Sequence, residues 1–141
     1  MVKMNSKTIK KYQKYSVPQL RQKATFVFNK FIRERDRNEE YFTCISCGKT
    51  KRITGNDYQA GHFYSGGNYP SMKFNEFNVS GQCKKCNYFL SGNLLEYKKN
   101  LIKKIGQKEV DKLDLLAEMS KRTIFKWDRL NLIEIIEKYK L

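Results

Sequence analysis

Residues 44–47 read CISC and residues 83–86 read CKKC, and these two CxxC pairs hold every cysteine of the 141-residue chain. The two-residue spacer lets both thiolates of a pair turn toward one ion, and four sulfur ligands close a tetrahedral zinc site. A redox dithiol is the alternative reading of each pair. We predict one structural Zn²⁺ held by Cys44, Cys47, Cys83 and Cys86. The 35 residues between the pairs indicate a substantial inserted element.

Positive charge is concentrated in the first three quarters of the chain. Residues 1–107 carry 21 Lys or Arg against 7 Asp or Glu, whereas residues 108–141 carry 8 against 7, and the formal net charge is +15. This one-sided surplus predicts a nucleic-acid partner, because neutralised phosphates release counterions. The basic N-terminus is not followed by the apolar core of a signal peptide, and no apolar run could cross a bilayer. We expect a cytoplasmic protein without a membrane partner.

Hydrophobic periodicity divides the chain into three parts. Residues 1–15 contain five lysines and no acid, which predicts a basic flexible arm. Residues 16–106 comprise an amphipathic helix that begins after the N-cap Ser16, a zinc-stapled core rich in glycine and aromatic residues, and a helix over 94–105. Residues 107–141 form a C-terminal helical extension, with helices predicted over 110–119 and 124–139.

The inserted element contains the one histidine of the chain, His62. A lone histidine is usually structural, but this one lies between the two cysteine pairs. It follows Gly61 and precedes Gly66 and Gly67, where the backbone can approach a ligand closely. An unperturbed imidazole titrates near neutrality, so His62 is a candidate general base.

The order CxxC, His62, Asn78, CxxC and Asn87 resembles that of HNH (His-Me finger) nucleases of the endonuclease VII type. The match to the NinG/Rap recombination endonucleases of lambdoid phages is closer and covers about residues 26–106. It is carried by the segments FNKFIRERD, CISCGK, AGHF, KFNEFNVSGQCKKCN and SGN. The resemblance implies an α+β fold in which a small zinc-bound ββα-metal (HNH) finger is flanked by N-terminal and C-terminal α-helices.

The same resemblance implies a metal-dependent endonuclease that nicks branched DNA, such as Holliday junctions or D-loops, to 5′-phosphate and 3′-hydroxyl ends. His62 is similar to the general base, and Asn78 to the residue that fixes the loop and aims the imidazole. Asn87 is similar to a ligand of a catalytic Mg²⁺ or Mn²⁺, for which a hard oxygen donor is suited. The resemblance also implies that a phage or prophage encodes the protein and that the protein acts in the cytoplasm of the bacterial host cell.

One position departs from the HNH pattern. Many of these enzymes carry an acidic metal ligand directly before the histidine, and here that residue is Gly61. Asp57 and Gln59 would share a face with Gly61 on a strand, and Asn93 could add an oxygen ligand on the following helix. Asp57 is equally a turn residue and Asn93 equally a helix N-cap, so the catalytic metal shell stays open.

Lysine and arginine residues next to the cysteine pairs are candidate DNA-binding residues: Lys49, Lys51, Arg52, Lys84 and Lys85. Two coordinated nicks at a junction would suit a homodimer, and phage recombination proteins are possible partners. The alternative functions are a non-catalytic zinc-finger DNA-binding protein and an interaction adaptor that uses its C-terminal helices. DNA binding through phosphate contacts should depend steeply on salt concentration, whereas an interaction adaptor should show little salt dependence.

Overall fold

The structure is a computed structural model that describes residues 4–141. Along the chain come α1 (Ser6–Lys11), α2 (Val17–Asp36), β1 (Arg37–Asn38), β2 (Tyr41–Thr43), β3 (Thr50–Arg52), β4 (Tyr58–His62), a 3₁₀ turn (Pro70–Met72), β5 (Val79–Cys83), a π-helical turn (Lys85–Phe89), α3 (Leu94–Ile105), α4 (Gln107–Ser120) and α5 (Arg129–Tyr139). This mixed α+β arrangement agrees with the predicted fold class. No helix among residues 4–141 is both long and apolar enough to span a bilayer.

Helix α2 begins where the sequence predicts. Ser16 and Gln19 form a capping box, in which each side chain accepts a hydrogen bond from the other residue's backbone N–H. Spacings of four residues then align one apolar stripe along the helix, made of the fully buried Leu20, Ala24, Phe28 and Ile32. This stripe forms one wall of the larger hydrophobic core.

Helix α5 supplies the opposite wall of that core. Leu132, Ile133, Ile136 and Tyr139 are buried against α2, and the ring of Tyr139 packs edge-on against Phe28 at 4.9 Å. The C-terminal segment is therefore part of the main core rather than an extension of it. The helix predicted from residue 124 begins at 129, because the Asp128 side chain caps it by accepting from the Asn131 N–H.

The N-terminal arm also differs from the prediction. Residues 1–3 lie outside the described part of the chain, but residues 6–11 form α1, and Tyr12 behind it is buried. The Tyr12 hydroxyl donates a 2.7 Å hydrogen bond to Glu137 on α5. In the structure, an aromatic anchor between the lysines attaches this stretch to the core, whereas the sequence predicts a flexible arm.

A two-stranded antiparallel hairpin, β4–β5, crosses the middle of the molecule. Its register pairs Tyr58 with Cys83 and His62 with Val79. Ala60 and Val79 face the α2–α5 core, whereas the alternate positions face α3. The hairpin therefore lies between two layers of helix. Helices α3 and α4 pack together over a second core around Tyr97 and Leu113.

An ion-pair network joins the end of α2 to the hairpin. The Asp36 carboxylate accepts hydrogen bonds from Arg35, from Lys104 on α3 and from the Gly81 N–H on β5. Burial acts to raise the pKa of Asp36, but these donors outweigh it and lower the pKa. The network stabilises the orientation of β5 between α2 and α3.

Candidate zinc and catalytic site

The four cysteines converge at one point, although 35 residues separate the two pairs. Cys44 follows β2, Cys83 ends β5, and all four sulfur atoms lie within 4.8 Å of one another. The sulfurs of Cys47 and Cys83 are 4.0 Å apart. Four thiolates at about 2.3 Å from one zinc ion would be about 3.8 Å from each other, so this cluster fits a tetrahedral zinc.

Neighbouring groups hold the cysteine cluster in shape. The Gly48 N–H donates to the Cys44 carbonyl at 2.9 Å, closing the first CxxC turn, and Gly48 has a φ of +74°, which glycine adopts without strain. The Asn93 side chain donates to the Cys86 sulfur at 3.5 Å. Asn93 occupies the N-cap position of α3 but makes no side-chain cap bond, so its amide supports the cysteine cluster.

Asn78 fixes the loop that leaves β4 after His62. Its Oδ1 accepts from the Tyr64 N–H at 2.8 Å, and its Nδ2 donates to the carbonyls of Tyr64 and Met72 at 2.9 and 3.1 Å. Its backbone carbonyl accepts from the Phe63 N–H at 2.8 Å. The Asn78 side chain is fully buried. This arrangement can do what the resemblance implies for Asn78, because it sets the backbone on both sides of the loop.

His62 ends β4 and is partly buried. Its Nε2 lies 2.9 Å from the Lys73 carbonyl, which can only accept, so Nε2 carries the proton and Nδ1 has a free lone pair. Among residues 4–141 the one buried side-chain nitrogen or oxygen without a hydrogen-bond partner is Gln82 Oε1. Nδ1 of His62, which makes no hydrogen bond in this part of the chain, must therefore touch solvent.

Burial lowers the pKa of His62 below its ordinary value of 6.5, and the nearby Lys73 ammonium lowers it further, despite the bond to the Lys73 carbonyl. The imidazole is therefore neutral at physiological pH. A neutral imidazole with one nitrogen anchored and the other open to water is the form required of a general base.

Asn87 does not face His62. It lies in the π-helical turn, and its Nδ2 donates to Gln59 Oε1 at 2.8 Å. Side chains alternate along a strand, so Gln59 and His62, three positions apart on β4, point to opposite faces of the hairpin. The structure thus does not bring together the imidazole and the Asn87 amide that the resemblance places at one phosphate.

The other predicted ligands of a catalytic metal are engaged elsewhere. Asp57 pairs with the Lys51 ammonium at 3.4 Å and accepts from the Lys84 N–H at 3.2 Å, so it closes a turn beside the cysteine cluster. Asn93 supports Cys86. The four cysteines are the one cluster of His, Cys, Asp or Glu side chains suited to a metal within residues 4–141. The four cysteines fit zinc.

The predicted DNA-binding residues fall into two groups. Lys51 is paired with Asp57, and Arg52 with Glu40 at 3.1 Å, so part of their charge is already neutralised. The remaining lysines of the set, Lys49, Lys84 and Lys85, form no ion pair among the described residues. They flank the cysteine cluster in the first and second CxxC segments.

Packing in the folded protein explains why residue 61 is a glycine, and the sequence alone could not show this. A Cβ atom at this position would lie 1.8 Å from Gln82 Oε1, so the buried Gln82 side chain occupies the space that a residue larger than glycine would need. The Tyr97 hydroxyl donates to the Gly61 carbonyl at 2.7 Å. Finding Gln82 and Tyr97 as supports of this strand requires the β4–β5 register, for which the sequence has no local signal.

Comparison with known proteins identifies the family. A family model described as Bacteriophage Lambda NinG protein matches residues 2–141. The chain belongs to the NinG family. It is 44% identical over 86 residues to Protein ninG of Escherichia phage lambda, which covers 61% of this chain and 39% of that protein. It is 43% identical over 86 residues to Protein ninG of Escherichia phage 933W, covering 61% and 40%.

Salmonella phage P22 supplies a further NinG relative, 42% identical over 86 residues, with 61% of this chain and 39% of the relative aligned. The alignments thus span about two fifths of the length of these curated NinG proteins. No solved structure matches the chain.

Proposed function

We propose that this NinG-family chain is a zinc-stapled, HNH-type DNA endonuclease in which His62 is the general base, acting in phage recombination on branched DNA. The observation that carries the proposal is the state of His62. Its Nε2–H is anchored on the Lys73 carbonyl, its Nδ1 is open, and its pKa is lowered. The order of elements supports it too, because β4, β5 and the helical turn after the second cysteine pair follow one another as in a ββα finger.

The reaction that this site would support is hydrolysis of a phosphodiester. Nδ1 of His62 takes a proton from a water molecule as the water oxygen attacks phosphorus. The bond from phosphorus to the 3′ oxygen breaks, and that oxygen takes a proton from solvent, giving 5′-phosphate and 3′-hydroxyl ends. Asn78 acts as a positioning residue, since it holds the loop and not the substrate. Zinc at the four cysteines would fix the hairpin and take no part in the reaction.

A preference for branched DNA is supported by exposed aromatic side chains. Tyr88 and Phe89, in the same helical turn as Asn87, are 72% and 67% exposed, and their rings lie edge to face at 5.1 Å. The Lys84 ammonium lies 6.0 Å from the Phe89 ring. Exposed rings beside lysines are a usual means of stacking on exposed base faces. The branch point of an open junction has base pairs without a stacking neighbour, and a D-loop has a displaced single strand, whereas a continuous duplex stacks every base pair.

Nicking assays test the proposal. A fluorescent four-way junction and a linear duplex of the same sequence are incubated with zinc-loaded chain and MgCl₂, and wild type is compared with His62→Ala. We expect nicking of the junction by wild type, at least 100-fold slower nicking by the variant, as removal of a general base implies, and weak nicking of the duplex. Equal nicking by both proteins would remove His62 from the mechanism.

A non-catalytic zinc-finger DNA-binding protein is the second candidate. It is favoured by the Asn87–Gln59 hydrogen bond and by the engagement of Asp57 with Lys51, which leave no magnesium ligand set beside His62. This candidate predicts tight junction binding by wild type and by His62→Ala, with no nicking by either protein in MgCl₂ or MnCl₂.

A further inference from the structure

A cationic cleft lies beside the loop that follows His62. It has a volume of about 650 Å³ and is lined by Arg21, Lys73 and Lys126. These residues come from three separate segments: α2, the stretch after the 3₁₀ turn, and the connection between α4 and α5. Three positive side chains that converge from distant parts of the chain are not explained by one solvated helix face.

No carboxylate lines this cleft, and none of its three cations belongs to an ion pair formed by residues 4–141. Burial lowers the pKa of Lys73, and repulsion by Arg21 lowers it further. The fold therefore holds Lys73 and Arg21 together at a cost in free energy, which a bound anion would relieve. An anion with several oxygens spaced along a chain suits three cations that line one cleft.

Specific hydrogen bonds and packing contacts hold the walls of the cleft in place. The Trp127 indole N–H donates to the Pro70 carbonyl at 2.8 Å, and its ring packs edge-on against Phe74 at 4.9 Å. This contact fixes the segment that carries Lys126. On the other side, a Cβ atom at Gly66 would lie 3.2 Å from Lys73 Cγ, so glycine there lets the loop lie close against the lysine stem.

We propose that Arg21, Lys73 and Lys126 bind the phosphodiester backbone of DNA next to the nucleotide presented to His62. Lys73 connects the cleft with the candidate base, because its carbonyl accepts from His62 Nε2 and the same residue lines the cleft. The proposal rests on the proposed function in taking DNA as the ligand, but it concerns binding and not hydrolysis. These residues lie outside the lysines and arginine predicted beside the cysteine pairs.

Titration of a fluorescent four-way junction with zinc-loaded chain at several KCl concentrations, with MgCl₂ left out so that nothing is cleaved, tests the cleft. The variant is Arg21→Gln/Lys73→Gln/Lys126→Gln, which keeps the aliphatic stems and the Lys73 carbonyl that holds His62. The control is Lys108→Gln/Lys121→Gln/Arg122→Gln, which removes the same charge on and just after α4. We expect the cleft variant to bind at least 10-fold more weakly at 150 mM KCl, with a log–log salt slope lower by about 2 to 3.

Equal losses in the two variants would overturn the cleft, because binding would then follow net charge alone. Unchanged binding by the cleft variant would overturn it as well. If thermal unfolding shows that the triple variant is not folded, Lys126→Glu alone, at an exposed position, replaces it, and an unchanged affinity then overturns the cleft. The nuclease proposal fails on a different result. In that case the wild-type protein does not nick the junction in MgCl₂, while its binding to the junction still depends on the cleft.

Discussion

Asn78 and Tyr64 are joined by two hydrogen bonds that run in opposite directions, from the Tyr64 N–H to Asn78 Oδ1 at 2.8 Å and from Asn78 Nδ2 to the Tyr64 carbonyl at 2.9 Å. A side-chain amide can replace a backbone partner in this way because it has both a donor and an acceptor. The pair sets where the chain goes immediately after His62. It links the buried residue directly before β5 to the orientation of the candidate base at the end of β4.

Replacing Asn78 with alanine should destabilise the protein and disorder the loop. The change leaves the Tyr64 N–H and the Tyr64 carbonyl without partners and removes one of the two donors to the Met72 carbonyl. We therefore expect a loss of about 2–4 kcal/mol in the free energy of unfolding, measured in urea. Asn75→Ala, in the same loop, is the control. It removes one exposed hydrogen bond to the Phe77 N–H and should cost less than about 1 kcal/mol. Similar losses for the two variants would contradict the role assigned to Asn78.

Zinc should bind at about one ion per chain and should be required for folding of the finger. Elemental analysis of wild type and of Cys83→Ser measures this, because Cys83 is buried at the centre of the cluster. We expect the variant to lose zinc and to unfold at a lower temperature, since metal binding contributes folding free energy directly. Asn93→Ala, which removes only the hydrogen bond to the Cys86 sulfur, should keep its zinc. Full zinc content in Cys83→Ser would contradict the four-thiolate site.

His62 should titrate below 6.5 and carry its proton on Nε2. The chain has one histidine, so nitrogen NMR of untagged, ¹⁵N-histidine-labelled protein reports this imidazole alone. Because the folded pKa lies below the unfolded one, protonation of the unfolded chain makes stability fall as pH drops from about 6.5 through the lowered pKa. Nicking should fall over the same acid window. A proton found on Nδ1, or a pKa above 6.5, would contradict this description.

The exposed rings of Tyr88 and Phe89 should give the preference for branched DNA. In the double variant Tyr88→Ala/Phe89→Ala, we expect junction affinity to fall by about 5- to 50-fold while duplex affinity changes little, because stacking contributes about 1–3 kcal/mol per base. Phe26→Ala is the control, since Phe26 is similarly exposed, at 65%, but lies on α2. Equal losses on junction and duplex would show that the rings do not recognise the exposed base faces of a branch point.

Sequence patterns were sufficient to predict those features that depend on interactions between residues close together in the chain. The N-cap at Ser16, the helix of residues 94–105 and its end at Gly106 are found where predicted. The convergence of the four cysteines follows from their spacing, because one ion can gather two short CxxC turns. The family was also recognisable from the order of these motifs.

Features that depend on long-range contacts could not be predicted. The anchoring of the N-terminal lysine segment depends on Tyr12 reaching Glu137, 125 residues away. The contact of Asn87 with Gln59 depends on the register of the hairpin and on the π-helical turn, which places the amide on the other face from His62. The cleft of Arg21, Lys73 and Lys126 joins three distant segments and has no motif at all.

A crystal structure of zinc-loaded His62→Ala bound to a four-way junction tests the central claim most directly. We expect one phosphodiester to lie within the reach of a single water molecule from the position of the missing imidazole, with the neighbouring phosphates against Arg21 and Lys73. A junction bound only to the far side of the hairpin, with no phosphate near residue 62, would contradict it.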